Sequence, residues 1–276
     1  MRPLSALADA EAKRLRGVLF DLDDTLLSHG LLTQGAYDAL WALRASGLAL
    51  VAVTGRPSGW GEVIARQWPI SGAVTENGAV QVLRQGATVA VRDACEGAER
   101  ASRQARLGLL VEEVRRRVPE ARLSDDVRAR RSDVTWDIGE RETLPAERVT
   151  AIVRAIEAAG ARHTRSSVHL HATFDVDDKA SGALAFCVRE LGEEQGSAVS
   201  RFAFVGDSAN DAPCFAAFRT TFGVSNVRAS LGRLQVAPRY VASRAMGDGF
   251  AEIAADFDVP SAEVEDVIRV ALRLPT

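Results

Sequence analysis

Two carboxylates two positions apart, Asp21 and Asp23, stand in Phe20-Asp21-Leu22-Asp23-Asp24-Thr25-Leu26, directly after the apolar run Gly17-Val18-Leu19-Phe20. A short apolar run that stops at an acid is the pattern of a buried parallel strand. Such a strand delivers a carboxylate to the carboxyl edge of a sheet, where open α/β folds bind ligands. The period-two spacing puts both side chains on one side of the backbone, within reach of a shared ligand. One carboxylate can then attack while its neighbour handles protons, provided that a cation keeps the two charges from raising each other's pKa. The segment therefore asks for a divalent metal. Taken alone, it reads equally well as a solvated acidic turn after a strand.

Three further segments repeat the pattern. Leu48-Ala49-Leu50-Val51-Ala52-Val53 ends in Thr54-Gly55-Arg56, so a second strand brings a hydroxyl and a glycine turn to the same edge. Lys179 opens a helical stretch after Asp175-Val176-Asp177-Asp178, and Phe202-Ala203-Phe204-Val205 runs into Gly206-Asp207-Ser208-Ala209-Asn210-Asp211. Each is common by itself, but their occurrence together in this order is not. The set resembles the four motifs of the haloacid dehalogenase superfamily of phosphohydrolases. Asp21 and Asp23 match the first motif, Thr54 the second, Lys179 the third, and Asp207 with Asp211 the fourth. Asp24 stands where many members carry Gly, a familiar variant that leaves the two functional carboxylates in place.

The resemblance implies a chemistry for each position. Asp21 attacks phosphorus to form an aspartyl-phosphate, and Asp23 protonates the leaving alcohol and then takes a proton from the attacking water. Lys179 supplies fixed positive charge, and the Thr54 hydroxyl with nearby N–H groups at Gly55 and Arg56 supplies hydrogen bonds. Mg²⁺ is expected on Asp21, the backbone carbonyl of Asp23 and Asp207, with Asp211 orienting a metal-bound water or pairing with Lys179. Asn210 is expected at the phosphate; Asn210 and Asp211 also read as caps of a helix that begins near Ala209. Members that cleave carbon–halogen bonds lack the second Asp, so Asp23 points to a phosphoester. Hydrolysis of a small soluble phosphorylated metabolite, a sugar phosphate, is the expected activity. A sugar phosphomutase is the alternative, although the phosphomannomutase cap motif Asn-Val-Ser-Pro-x-Gly-Arg is absent. A catalytically silent binding module is the second alternative.

These residues need a sheet to carry them. From Asp23 to Thr54 there is room for a tight flap, one helix over 33–46 closed by Gly47, and the next strand. From Thr54 to Lys179 the chain runs for about 125 residues, far more than a compact βαβ unit needs. The fold class expected is therefore α/β, a Rossmann-like parallel sheet core formed by 1–82 and 176–276, with an inserted α+β cap at 83–175. Ala73 to Leu83 alternates around Asn77-Gly78, a strong hairpin signal. In similar phosphatases Glu-Asn-Gly lies near the hinge and the substrate, which adds Asn77 to the expected binding residues. Within the insert, helices are expected over 96–118, stopped by Pro119, and over 146–159, between Pro145 and Gly160. Strands are expected over 127–131, 134–138 and 168–174. After Lys179 come a helix to Leu191, a polar loop, the strand 202–205, a short helix 209–218, edge strands 220–224 and 240–242, and an amphipathic helix 264–272. Insert size and position resemble the branch of the superfamily with large caps, which includes sucrose, trehalose and mannosylglycerate phosphatases.

The cap is expected to choose the substrate, because the core motifs grip only phosphate and metal. On a strand Arg128 and Arg130 share a face, which would meet a second acidic group or sugar hydroxyls. Alternating surface charge for solubility reads the same way. Arg131, Asp133, Trp136 and Asp137 are further candidates, with His169 and His171, whose simpler reading is ordinary hydrogen bonding. Trp60 and Trp68 read as core. The 276 residues, 47% hydrophobic, carry 34 basic and 37 acidic side chains with no basic tail, which argues against nucleic acid as a partner. Three scattered cysteines form no disulfide framework, and no apolar stretch serves as signal peptide or membrane span. A cytoplasmic enzyme is expected; the sequence sets no oligomeric state.

Overall fold

The alternating apolar residues of the strands sort onto two faces of one sheet. Val18, Phe20, Leu50, Ala52, Ala203 and Val205 face a cluster completed by the helices Gln34–Ala45 and Met246–Ala255. Leu19, Val51, Val53, Phe202 and Phe204 face a second cluster under Lys179–Leu191 and Ala212–Ala217. Both faces are thereby buried, as period two requires of strands apolar throughout. In this computed structural model, which describes residues 1–165 and 168–257, the sheet has nine strands. In spatial order they are Arg2–Pro3, Tyr240–Val241, Thr220–Gly223, Phe202–Gly206, Gly17–Phe20, Ala49–Val53, Gly72–Thr75, Val80–Gln85 and Thr88–Asp93. The first seven run parallel; Val80–Gln85 pairs antiparallel with Gly72–Thr75, and Thr88–Asp93 antiparallel with Val80–Gln85. The fold is α/β with a Rossmann-like core.

A second, antiparallel sheet of Arg122–Leu123, Asp133–Asp137, His169–Thr173 and Arg162–Arg165 forms the insert. Val134, Trp136, Leu170 and Ala172 bury one of its faces against the helices Gly97–Arg117 and Ala146–Ala158. The border expected at residue 83 falls inside Val80–Gln85. Sheet pairing moves it past Asp93, because the hairpin 80–93 adds Val82, Val89 and Val91 to the core cluster.

Local signals set most helix ends. The Thr33 hydroxyl accepts from the Ala36 N–H, and Gly47, Gly160 and Gly192 take the left-handed conformation after their helices. The strand expected over 127–131 is instead a 3-10 turn, Val127–Ala129. Here the Ser124 hydroxyl donates to Asp126, and the Ala129 N–H turns back to the Asp126 carbonyl. The polar loop before 202 contains the helix Gln195–Arg201, and the helix expected over 209–218 divides into a 3-10 turn, Ala209–Asp211, and Ala212–Ala217. Trp68 packs against the core, whereas Trp60 is 40% exposed. The segment 264–272 lies outside the described residues. Cys95, Cys187 and Cys214 are free, and no helix among the described residues is long and apolar enough to cross a membrane.

Candidate active site

Parallel register brings the motif residues to one rim. Phe20 pairs with Ala52 and with Val205, so Asp21, Thr54 and Asp207 follow the ends of three adjacent strands. The Asp21 N–H donates to the Val205 carbonyl, and the Thr54 N–H to that of Val74. Lys179 arrives from the far side of the insert at the first turn of its helix, which Asp178 and Ser181 cap reciprocally. Its ammonium donates to Asp21 at 2.8 Å and to Asp211 at 2.7 Å. All three are buried, Lys179 to 1% exposure and Asp211 to none.

The charges do not balance. Oxygens of Asp21, Asp207 and Asp211 lie within 4.8 Å of one another, with Lys179 paired to Asp21 and Asp211. Burial, with Asp211 and Asp23 adding to it, pushes the Asp21 carboxyl up to about 7 against the pull of Lys179. Burial and the neighbouring Asp21 and Asp211 push Asp207 up to about 8. Burial opposes the Lys179 charge, but its two carboxylates outweigh burial and raise its pKa. Three crowded carboxylates present hard oxygen donors, and this donor set fits Mg²⁺.

Neighbouring groups hold these carboxylates in place. The N–H groups of Asp207 and Ser208 donate to Asp211, so it orients the turn at Asp207 as well as pairing with Lys179. The Thr25 hydroxyl donates to Asp207 at 3.2 Å. The Asn226 amide donates to Asp207 at 2.8 Å and to the Asp24 carbonyl at 2.9 Å, while its oxygen accepts from the Met246 N–H. Sequence reasoning missed Asn226, since no motif marks a lone Asn after a strand.

Asp23 sits apart from the buried trio. Its half-exposed carboxylate receives Arg56 through Nε and Nη2 at 2.5–3.0 Å, and that guanidinium lies over the Trp60 ring, 4.1 Å from its centre. The Thr54 hydroxyl accepts from the Arg56 N–H. Asn77, with φ 54°, packs its amide over Gly55, where an added Cβ would approach it to 3.1 Å. Asn77, Lys179 and Asn210 line one cavity of about 210 Å³, smaller than the ~300–1,000 Å³ of pockets that take drug-sized ligands.

The expected pair of cap arginines does not share a strand face. Arg128 is exposed on the 3-10 turn, while the Arg130 side chain is 2% exposed and ion-paired to Asp126 and Asp133. Strand periodicity does not apply to a turn, so the two share no face. Arg130 also donates to the Gly55 carbonyl at 3.0 Å. Glu76, whose Glu-Asn-Gly is expected both as a hairpin turn and near the hinge, accepts from the Ser58 N–H of the core and from the Arg131 N–H, Ser132 N–H and Ser132 hydroxyl of the insert. Glu76 and Arg130 together fasten the insert over the rim.

No family model matches the chain, and no curated protein matches it. Solved structures share its fold over nearly their whole length, and among them are phosphatases and hydrolases of the haloacid dehalogenase superfamily. The chain thus has the fold of that class, as its four motifs lead one to expect. A superfamily phosphatase from Bacteroides thetaiotaomicron is 21% identical, with 91% of this chain and 97% of that one covered at a TM-score of 0.62. The sucrose-phosphatase of Synechocystis sp. PCC6803, solved with sucrose and phosphate, is 15% identical over 90% of this chain and 100% of that one, with a TM-score of 0.62. A protein of Thermoplasma acidophilum is 18% identical over 88% and 98%, with a TM-score of 0.69.

Proposed function

We propose that this chain is a Mg²⁺-dependent phosphomonoester hydrolase of the haloacid dehalogenase superfamily, acting on a small phosphorylated metabolite, a sugar phosphate. The observation that carries the reading is the buried convergence of Asp21, Lys179, Asp207 and Asp211 at the carboxyl rim of a parallel sheet. The sugar phosphatases among the structural neighbours support it at the level of substrate class.

Asp21, Asp207 and the Asp23 carbonyl would hold the cation, which when bound neutralises charge on the transferring phosphoryl group. An Asp21 oxygen attacks phosphorus and forms an acyl phosphate, and the bond to the leaving oxygen breaks. Asp23 gives that oxygen its proton, so an alcohol departs. Water then attacks the same phosphorus, loses a proton to Asp23, and releases phosphate and free Asp21. For Asp23 to reach the leaving oxygen, Arg56 must let it go; the Trp60 ring keeps the guanidinium beside the site in the meantime. Lys179 holds Asp21 in its attacking orientation, and the Thr54–Arg56 loop with Asn77 and Asn210 receives the phosphate oxygens. Arg128 on an exposed turn and Arg130 locked in ion pairs leave the cap without a paired arginine face for a second phosphate, which supports hydrolysis over the phosphomutase reading.

Released phosphate from p-nitrophenyl phosphate, with and without Mg²⁺, tests the reading. Activity should depend on Mg²⁺ and vanish in Asp21→Asn. Turnover that survives this substitution, or none in the native chain with Mg²⁺, overturns it.

A further inference from the structure

Above Lys179, Asn77 and Asn210 the insert turns a polar sheet face toward the cavity. Register places Asp133 opposite Thr173 and Thr135 opposite His171, and on the other side Arg162 opposite Thr173 and Thr164 opposite His171. Directly opposed residues share a face. The alternate residues Val134, Leu170 and Ala172 point into the apolar cluster under the helices. Arg162, Thr164, His171 and Thr173 all line the cavity that Lys179, Asn77 and Asn210 line from below.

His171 is the most constrained of these. It is 8% exposed, and its Nδ1 lies 3.0 Å from Asp133 Oδ2 and 2.9 Å from the Thr135 hydroxyl. Burial raises the Asp133 carboxyl, but Arg130 and His171 outweigh it and hold it below the usual carboxylate range. An ionised carboxylate only accepts, so Nδ1 carries the hydrogen and donates it to Asp133. Nε2 is the ring atom left to meet a ligand, and no described residue bonds it. It accepts from a hydroxyl when the ring is neutral and donates to one when the ring is charged, so a hydroxyl suits it in either state.

The imidazole is also registered against the phosphate loop. Arg130 Nη1 lies 3.0 Å from the Gly55 carbonyl and 3.1 Å from both Asp133 oxygens, and Asp133 holds His171. One hydrogen-bonded chain thus runs from the residue after Thr54 to the ceiling of the cavity. The other carboxylates around the cavity have their own partners. Asp175 takes Arg100 and Arg103, Asp178 caps its helix, and Glu76 takes the N–H groups at Ser58, Arg131 and Ser132. Arg162 is engaged by the carbonyls of Asp175 and Asp177. Arg162 gives only Nη1 to these carbonyls, but five carboxylates, Glu76, Asp133, Asp175, Asp177 and Asp178, line the cavity, so its ceiling suits hydroxyls better than a second anion.

We infer that His171 is the specificity-determining residue of the site, binding through Nε2 a hydroxyl of a neutral polyol leaving group, with Arg130 as the positioning residue that sets its distance from the phosphate loop. This rests on the phosphatase reading above and assigns the residue that recognises the alcohol.

The test compares native chain, His171→Ala and His171→Gln on p-nitrophenyl phosphate, aldohexose 6-phosphates, glycerol 3-phosphate and phosphoglycolate. The native chain should prefer a hydroxylated substrate over phosphoglycolate. In His171→Ala the kcat/KM ratio of that substrate to p-nitrophenyl phosphate should fall about tenfold, mainly through KM, and His171→Gln should recover part of it. An unchanged ratio overturns the inference, as does an equal loss on both substrates or a native preference for phosphoglycolate. If the native chain hydrolyses nothing, the phosphatase reading has failed. The inference is then judged by thermal melting with the same esters. A sugar-phosphate-dependent rise seen in the native chain and lost in His171→Ala supports it; equal shifts, or none in either, overturn it.

Discussion

Asp21 and Asp207 hold protons in the folded chain that they would lose in water, because burial and crowding push their carboxyls up to about 7 and about 8. Unfolded aspartates titrate near ~3.9, so between roughly pH 4 and pH 8 the folded chain binds more protons than the unfolded one. Stability from these two groups is full below that window and is lost as pH rises through it. Asp126 and Asp133, whose pKa values are lowered, act in the opposite direction only below about pH 4. Thermal melting in EDTA should therefore show a midpoint that falls from pH 5 to pH 8, and saturating Mg²⁺ should flatten the fall by favouring the ionised forms. A midpoint that climbs across the same range in EDTA contradicts this. The Asn226 amide bears on the same pair of charges, since it holds both Asp207 and the Asp24 carbonyl. Asn226→Ala should weaken Mg²⁺ by about 10–100-fold, the usual cost of losing a partner that orients a metal ligand. Titrating the Mg²⁺-dependent melting shift reads this without any substrate. Asp24 also finds its explanation at this scale. Its φ is 57°, the left-handed region where Gly is the common choice and Asp is among the few side chains that tolerate it.

Between elements, the closest approach in the site is that of the turn Glu76–Gly78 to the start of the helix carrying Lys179. Gly78 has φ +112°, and a Cβ there would stand 2.1 Å from the Asp178 carbonyl oxygen; one on Gly182 would stand 2.4 Å from Gly78 Cα. These two glycines let backbone touch backbone just where Lys179 must enter. Gly78→Ala adds left-handed strain to this overlap and should cost on the order of 3 kcal/mol or more, with Gly182→Ala similar. Urea unfolding measures both, and a loss below about 1 kcal/mol would show that the helix can shift without harm. Gly78 illustrates how a signal is legible for one reason and needed for another. Asn77-Gly78 reads as a hairpin turn from neighbouring residues, and the turn does join two antiparallel strands. The contact with Asp178 is a hundred residues away and leaves no local trace.

At the scale of the molecule, the insert is fastened to the core at several points remote from each other in sequence. Arg100 and Arg103 meet the buried Asp175 where the insert returns to the core, Arg100 also reaches Asp93 at the end of the core sheet, and Arg130 with Glu76 closes the side over the phosphate loop. Removing one partner of a buried ion pair strands the others, at about 3–5 kcal/mol. Arg130→Ala leaves Asp133 and Asp126 short of their cation, so amide exchange over 124–137 should quicken while strand Phe202–Gly206 keeps its protection. Uniform loss of protection would mean that the insert and the core unfold as one.

Much of this protein is legible along the chain. Acids at the ends of apolar runs, Thr33 and Gly47 around one helix, and Pro145 and Gly160 around another are local patterns, set by sterics and capping within a few residues. They suffice for the sheet; the insert is expected from the spacing between motifs, and a shared rim for Asp21, Thr54, Lys179 and Asp207 from the resemblance to the superfamily. Folding alone decided which charges pair. It left Asp23 with Arg56 and turned Arg130 from the cavity toward Asp133 and Asp126. Periodicity assigns a side chain to a face, but a partner within 3 Å depends on where distant segments come to rest, and desolvation then fixes the strength of each pair.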